Sequence, residues 1–209
     1  ECRRTGQVLR KRGVVTPLRV SSERLGRALG YEFRRFELLD QALTHRSAGS
    51  VNNERLEFLG DALLDFFVGE ALYFRFEHAD EGRLSRLRAG LVKKESLAEV
   101  ARSLDLGDYL NLGAGELRSG GHTRDSILAD AMEAVIAAVY LDGGVDVAKA
   151  MVSRLFNPRI ESIDPEQLLK DPKTRLQEYL QARKYPLPEY GIQDVGGSQH
   201  AQVFNVLCR

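Results

Sequence analysis

Ile127-Leu128-Ala129-Asp130-Ala131-Met132-Glu133-Ala134-Val135-Ile136-Ala137-Ala138-Val139 is apolar on almost every side of a helix. A helix with a single apolar stripe lies on a surface, whereas one apolar all round must be enclosed by other elements. The stretch therefore predicts a buried central helix over about 126–141, closed by Gly143 and Gly144 as a C-cap. Helical periodicity continues upstream of it. Ser22 can cap a helix carrying Leu25 and Leu29, and Phe36 to Thr44 forms a short helical segment. A long helix is expected from about Asn53 to Phe76, and another from Arg83 to about Leu104, broken near Gly90. The reading over 22–157 is an all-α domain.

The character changes downstream. Pro158 and Pro165 mark a linker over 158–170, after which Asp171 and Pro172 suit an N-cap and first helical position. A helix over 173–183 is stopped by Pro186 and Pro188. Tyr190 to Val195 and Gln202 to Cys208 then alternate as two strands about a turn at Gly196-Gly197-Ser198. The fold class is mainly α: an all-α domain followed by a truncated α-β-β start of a second domain over 171–209. The last pattern stops within a strand, and the chain is read as part of a longer protein.

Thirty Lys and Arg balance thirty Asp and Glu, so net charge alone does not announce a nucleic-acid binder. The distribution is uneven. Residues 1–21 form a loose basic tail with Arg3, Arg4, Arg10, Lys11, Arg12 and Arg19. Cys2 and Cys208 stand at opposite ends with no metal-ligand spacing, which fits a reducing compartment. No run approaches the roughly 20 apolar residues of a membrane span, and the basic tail lacks the apolar core of a secretory signal. A cytoplasmic protein with no membrane partner is expected.

The acidic residues carry the chemistry. At about 100° per residue, Glu54, Glu57, Asp61 and Asp65 fall within an arc of roughly 80° on one helix face. A solvated acidic stripe is the plain alternative. Like charges at this spacing destabilise a helix, however, and little basic counter-charge shares the face. On the apolar helix, Asp130 and Glu133 share another face. Buried carboxylates need a salt bridge, protonation or a metal. With the two helices face to face, Glu57, Asp61, Asp130 and Glu133 surround one point. Oxygen ligands without His or Cys suit magnesium or manganese rather than zinc, and carboxylate-held magnesium is the usual apparatus of phosphodiester hydrolysis.

The run Asn53-Glu54-Arg55-Leu56-Glu57-Phe58-Leu59-Gly60-Asp61 resembles the signature stretch of the ribonuclease III family, bacterial type. So, in family order, do Ala42-Leu43-Thr44-His45-Arg46-Ser47, Asp80-Glu81-Gly82, Gly115 to Gly121, and Ser126 to Ala134. The resemblance covers about residues 22–209. It implies a homodimeric, magnesium-dependent endonuclease of double-stranded RNA, with manganese an acceptable substitute, acting in ribosomal and messenger RNA processing. Cleavage would leave a 5′-phosphate and a 3′-hydroxyl, with short 3′ overhangs.

By the resemblance the metal ligands are Glu57, Asp61, Asp130 and Glu133, with Asp61 and Glu133 catalytic. Glu54 and Glu81 match secondary acids that support the site or contact RNA, while Asp65 matches none. Phe58 resembles the aromatic that plugs into the partner subunit; a core Phe is the alternative. His45 is read as a hydrogen-bonding or structural residue rather than an acid-base group. Arg118, His122 and Arg124 suit phosphate contact, and Arg83, Arg86, Arg88, Lys93 and Lys94 suit an RNA groove or simply a solvated face. The C-terminal part resembles an incomplete double-stranded RNA-binding domain, with Thr174, Gln177 and Glu178 matching its first-helix contacts and His200 its minor-groove loop. The alternative function is a non-catalytic double-stranded-RNA binder that retains the fold.

Overall fold

The structure is a computed structural model describing residues 24–163, 172–198 and 201–208. It divides into two compact units, one ending at Ser162 and one beginning at Ile163. The first is all-α. Residues 24–29 form α1, followed by α2 (Phe36–Ala42), α3 (Glu54–Arg75), α4 (Glu81–Val92), α5 (Lys94–Ser103), α6 (Ala114–Arg118), α7 (Asp125–Gly143) and α8 (Val145–Glu161).

Helix α7 is the centre, as its apolar circumference requires. Every residue from Ala134 to Val139 is fully buried, and α2, α3, α5 and α8 pack around it. Leu64, Val68 and Leu72 of α3, Leu97 and Val100 of α5, and Phe156 of α8 complete the core. Helix α7 ends where Gly144 turns to a φ of 88°, the left-handed region that glycine enters without steric cost.

Two boundaries differ from the sequence reading. The break expected at Gly90 falls at Lys93, whose extended backbone separates α4 from α5. Gly90 stays helical, because a lone exposed glycine weakens a helix without ending it. The linker expected from 158 begins later, since α8 runs through Pro158 to Glu161. Its buried stripe Met151, Val152, Phe156 and Ile160 crosses the proline. Pro158 forfeits one hydrogen bond in the last turns, and burial of Phe156 and Ile160 on both sides keeps the helix going.

The second unit contains α9 (Pro172–Ala182) and the antiparallel pair β1 (Tyr190–Ser198) and β2 (Ala201–Cys208). Gly196, Gly197 and Ser198 do not form the expected turn: they pair with Val203, Gln202 and Ala201. The strands are joined through residues 199–200, which lie outside the described ones. A glycine pair permits a turn, but its amides serve equally well in a ladder.

Candidate active site

The site is built where α3 meets α7. Gly60 is buried, and a Cβ there would stand 1.8 Å from the carbonyl oxygen of Glu133. No side chain can occupy that space, so glycine is what lets the two backbones touch. Gly60 lies between Glu57 and Asp61, and its contact is Glu133 itself. The packing that seats one helix on the other thus brings the carboxylates of both together.

Burial, joined for Glu57 and Glu133 by neighbouring carboxylates, raises three of these acids. Burial pushes the Glu133 carboxyl up to about 8, assisted by the charges of Asp61, Glu57, Asp130 and Asp65. Glu57 is raised by burial and by its neighbours Asp130 and Glu54. Asp130 is raised by burial in spite of Lys94, His45 and Arg46. Glu57, Asp130 and Glu133 are half-buried, while Asp61 is exposed. The two helices therefore bring together the four acids read from the sequence as one electrostatic group. Among the described residues, no three His, Cys, Asp or Glu side chains are gathered closely enough to hold a metal ion by themselves.

Beside the acids lies a cleft of about 550 Å³, lined by His45, Arg46, Glu54, Glu57, Glu116 and Asp130 among others. Its cations are engaged: Arg46 lies 3.7 Å from Glu54, and Arg124 pairs with Glu116 at 2.5 Å. Two loops wall it. The His45 N–H donates to the Asn111 carbonyl at 3.0 Å, and the Gly113 N–H to Ser47 Oγ at 2.9 Å.

The other expected residues are dispersed. Glu81 stands at the start of α4, accepts a hydrogen bond from Ser85 Oγ at 2.7 Å, and lines a second cleft with Asp65, Phe66 and Tyr73. Asp65 lies 3.8 Å from Arg88. Arg118 turns back to the Ala114 carbonyl, and Arg83 pairs with Asp80 at 3.4 Å, while Arg86, Lys93 and Lys94 are exposed. Phe58 is 80% exposed, so the core alternative is excluded. It heads an apolar stripe on α3 that continues through Phe66 and Tyr73. In the second unit, Thr174, Gln177 and Glu178 belong to α9, and Gln177 is half-buried. His200 lies outside the described residues.

A further acid escaped the sequence reading. Asp142, near the end of α7, accepts hydrogen bonds from Tyr31 Oη (2.9 Å), the Arg34 N–H (2.7 Å) and Arg35 Nε (3.1 Å). Burial alone would raise its carboxyl. The Arg34 N–H, Tyr31 and Arg35 outweigh that and hold it below the usual range. Nothing local signals these partners, because they lie more than a hundred residues away.

An all-helical domain with a carboxylate cluster between its two central helices is the architecture of a nuclease family. The Ribonuclease-III-like family pattern matches residues 35–160. Ribonuclease 3 of Nitrosococcus oceani is 60% identical over 188 residues, covering 89% of this chain and 81% of that protein. The protein of the same name from Legionella pneumophila is 55% identical over 191 residues, covering 91% and 85%. Among solved structures, the nuclease domain of ribonuclease III from Campylobacter jejuni superimposes with a TM-score of 0.65 at 48% identity, over 68% of this chain and 97% of that one. Dicer from Pichia stipitis shares the fold, with a TM-score of 0.54 at 23% identity over 85% and 82%. The chain belongs to the ribonuclease III family and is an endoribonuclease. Among the described residues, no helix is long and apolar enough to cross a membrane.

Proposed function

We propose that this chain cuts double-stranded RNA by metal-assisted hydrolysis, with magnesium, or manganese in its place, held by Glu57, Asp61, Asp130 and Glu133. The observation that carries the reading is Glu133, half-buried at the Gly60 contact among acids of both helices, its carboxyl raised and, among the described residues, paired with no cation. The donor set suits a hard cation. Magnesium usually keeps several waters and takes one or two carboxylates together with substrate phosphates. An open group of acids, rather than a closed cage, is what such a site needs. A bound divalent cation supplies Lewis acidity toward the scissile phosphate and its attacking water. Asp61, the exposed member, is the acid most open to an incoming phosphate, while Glu57, Asp130 and Glu133 are half-buried. Water attack with departure of the 3′ oxygen leaves a 5′-phosphate and a 3′-hydroxyl, with short 3′ overhangs when both strands are cut.

The apolar stripe of Phe58, Phe66 and Tyr73 supports a second copy as partner, with Phe58 inserted into it. In a solved relative, the nuclease domain of ribonuclease III from Campylobacter jejuni, a structurally flexible region is involved in dimer formation. Two copies would offer an acidic site to each strand of one duplex. The α-β-β unit supports duplex binding through Thr174, Gln177, Glu178 and His200; Glu54 lines the cleft with the acids, and Glu81, in the neighbouring cleft, is read as an RNA contact. Processing of ribosomal and messenger RNA in the cytoplasm is the corresponding role.

The test is incubation with long duplex RNA and magnesium. The protein should cut it, and Asp61→Asn should cut more slowly by a factor on the order of 10² to 10³. Equal rates for the two proteins would remove the metal reading. Phe58→Ser should sediment as a monomer at micromolar concentration where the parent is a dimer; a parent that is already monomeric would exclude the pairing.

A further inference from the structure

His45 takes no part in the scheme above, yet its ring lines the acidic cleft beside Glu57 and Asp130. Its hydrogen bonds decide where its proton sits. The Ser47 backbone N–H, which can only donate, points to His45 Nδ1 at 3.2 Å. Ser47 Oγ lies 2.8 Å from the same nitrogen and accepts the Gly113 N–H at 2.9 Å, so its own proton is free to turn toward Nδ1 as well. The fixed direction of the Ser47 N–H makes Nδ1 the acceptor, which puts the ring proton on Nε2.

That Nε2–H makes no hydrogen bond to any described residue. The neighbouring cations Arg46 and Arg124 are matched to Glu54 and Glu116, so His45 offers the cleft a donor that no acid has claimed. Its mounting is firm. The Asn111 N–H donates to the Leu43 carbonyl at 2.9 Å, and a Cβ on Gly113 would stand 2.3 Å from the Ser47 carbonyl oxygen. The two loops are in contact backbone to backbone, with Ser47 joining them.

We propose that His45, held by Ser47 with its proton on Nε2, donates a hydrogen bond to a backbone phosphate of the RNA duplex and so contributes to holding the duplex on this face. The proposal rests on the double-stranded-RNA reading. Phosphate contacts of this kind set the register of a protein on its duplex without reading sequence.

The test compares the parent with His45→Asn. An Asn carbonyl can accept the same N–H two residues on, so the turn survives while the Nε2 donor is lost. The KM for duplex RNA should rise about tenfold, with kcat at saturating RNA and the melting temperature unchanged. In the slow-cutting Asp61→Asn background, adding His45→Asn should weaken duplex affinity by the same factor. A readout that needs no His45 variant is the ¹⁵N spectrum of the imidazole in the Asp61→Asn protein. There Nδ1 should appear unprotonated and Nε2 protonated, and the Nε2 signal should move when duplex RNA is added. A proton on Nδ1, an unmoved KM, or a loss confined to kcat would overturn the assignment while leaving the nuclease reading intact. Failure of the parent to bind or cut duplex RNA would instead remove the reading on which it rests.

Discussion

Helix α7 carries one acid at its middle, Glu133, and one near its C-terminal end, Asp142, and the fold treats them in opposite ways. Asp142 is more enclosed, yet each of its oxygens has a donor: Tyr31 Oη and the Arg34 N–H on one, Arg35 Nε on the other. Glu133 is less enclosed, and the charges that raise its carboxyl are all acidic. One is an acid whose charge the fold needs. The other is an acid whose charge the fold resists. Burial does not distinguish a structural carboxylate from a functional one; what surrounds it does.

The comparison can be broken at its hinge. Gly60→Ala puts a methyl group into the backbone of Glu133, with no flexible side chain to move aside. The helices must separate, and a loss of about 3 kcal/mol or more is expected from overpacking at this point. Thermal unfolding followed by circular dichroism would measure it. A Gly60→Ala protein with the parent's stability and cutting rate would show that the α3–α7 contact does not govern the site.

Removing Asp142 tests the structural end. Asp142→Ala leaves Tyr31 and the Arg34 N–H without their acceptor and should cost about 2–3 kcal/mol, somewhat below a fully buried ion pair because Arg35 is half exposed. The cutting rate per folded molecule should be unchanged. A lowered rate at full folding would mean that the end of α7 communicates with the acids.

The last test reads a pH dependence and is the most diagnostic. Below about pH 4.5 Glu133 is protonated in the folded and unfolded chains alike. As the pH rises from there toward 8 the unfolded chain releases the proton that the folded one keeps, so Glu133 subtracts stability progressively, and the loss levels off above about 8. Asp142 runs the other way: its contribution is present above its unfolded value, near 3.8, and disappears as the pH falls through its lower folded value. In metal-free buffer Glu133→Gln should therefore melt higher than the parent at pH 8 and nearly with it at pH 4.5. Identical melting at both values would mean that Glu133 carries no excess repulsion.

Much of this could be read without a fold. The apolar circumference of 127–139 required a buried helix, and the carboxylates at 57, 61, 130 and 133 stood out as a cluster because their spacing puts each pair on one face. The misreadings share a cause. Gly90 and Pro158 looked like breaks, and Gly196-Gly197 like a turn, because glycine and proline state what a backbone is permitted to do. Neighbouring apolar burial, as at Phe156 and Ile160, decides what it does.

Periodicity along one chain segment determined the helices, the central position of α7 and the identity of the acidic group, since a residue's face follows from spacing alone. Only the tertiary structure decided that Gly60 is a point of backbone contact between the helices, that Asp142 is satisfied from residues 31–35, and that Phe58 faces outward. Each of these depends on atoms brought together from distant segments or on the backbone's local path, and hydrophobic spacing carries no record of either.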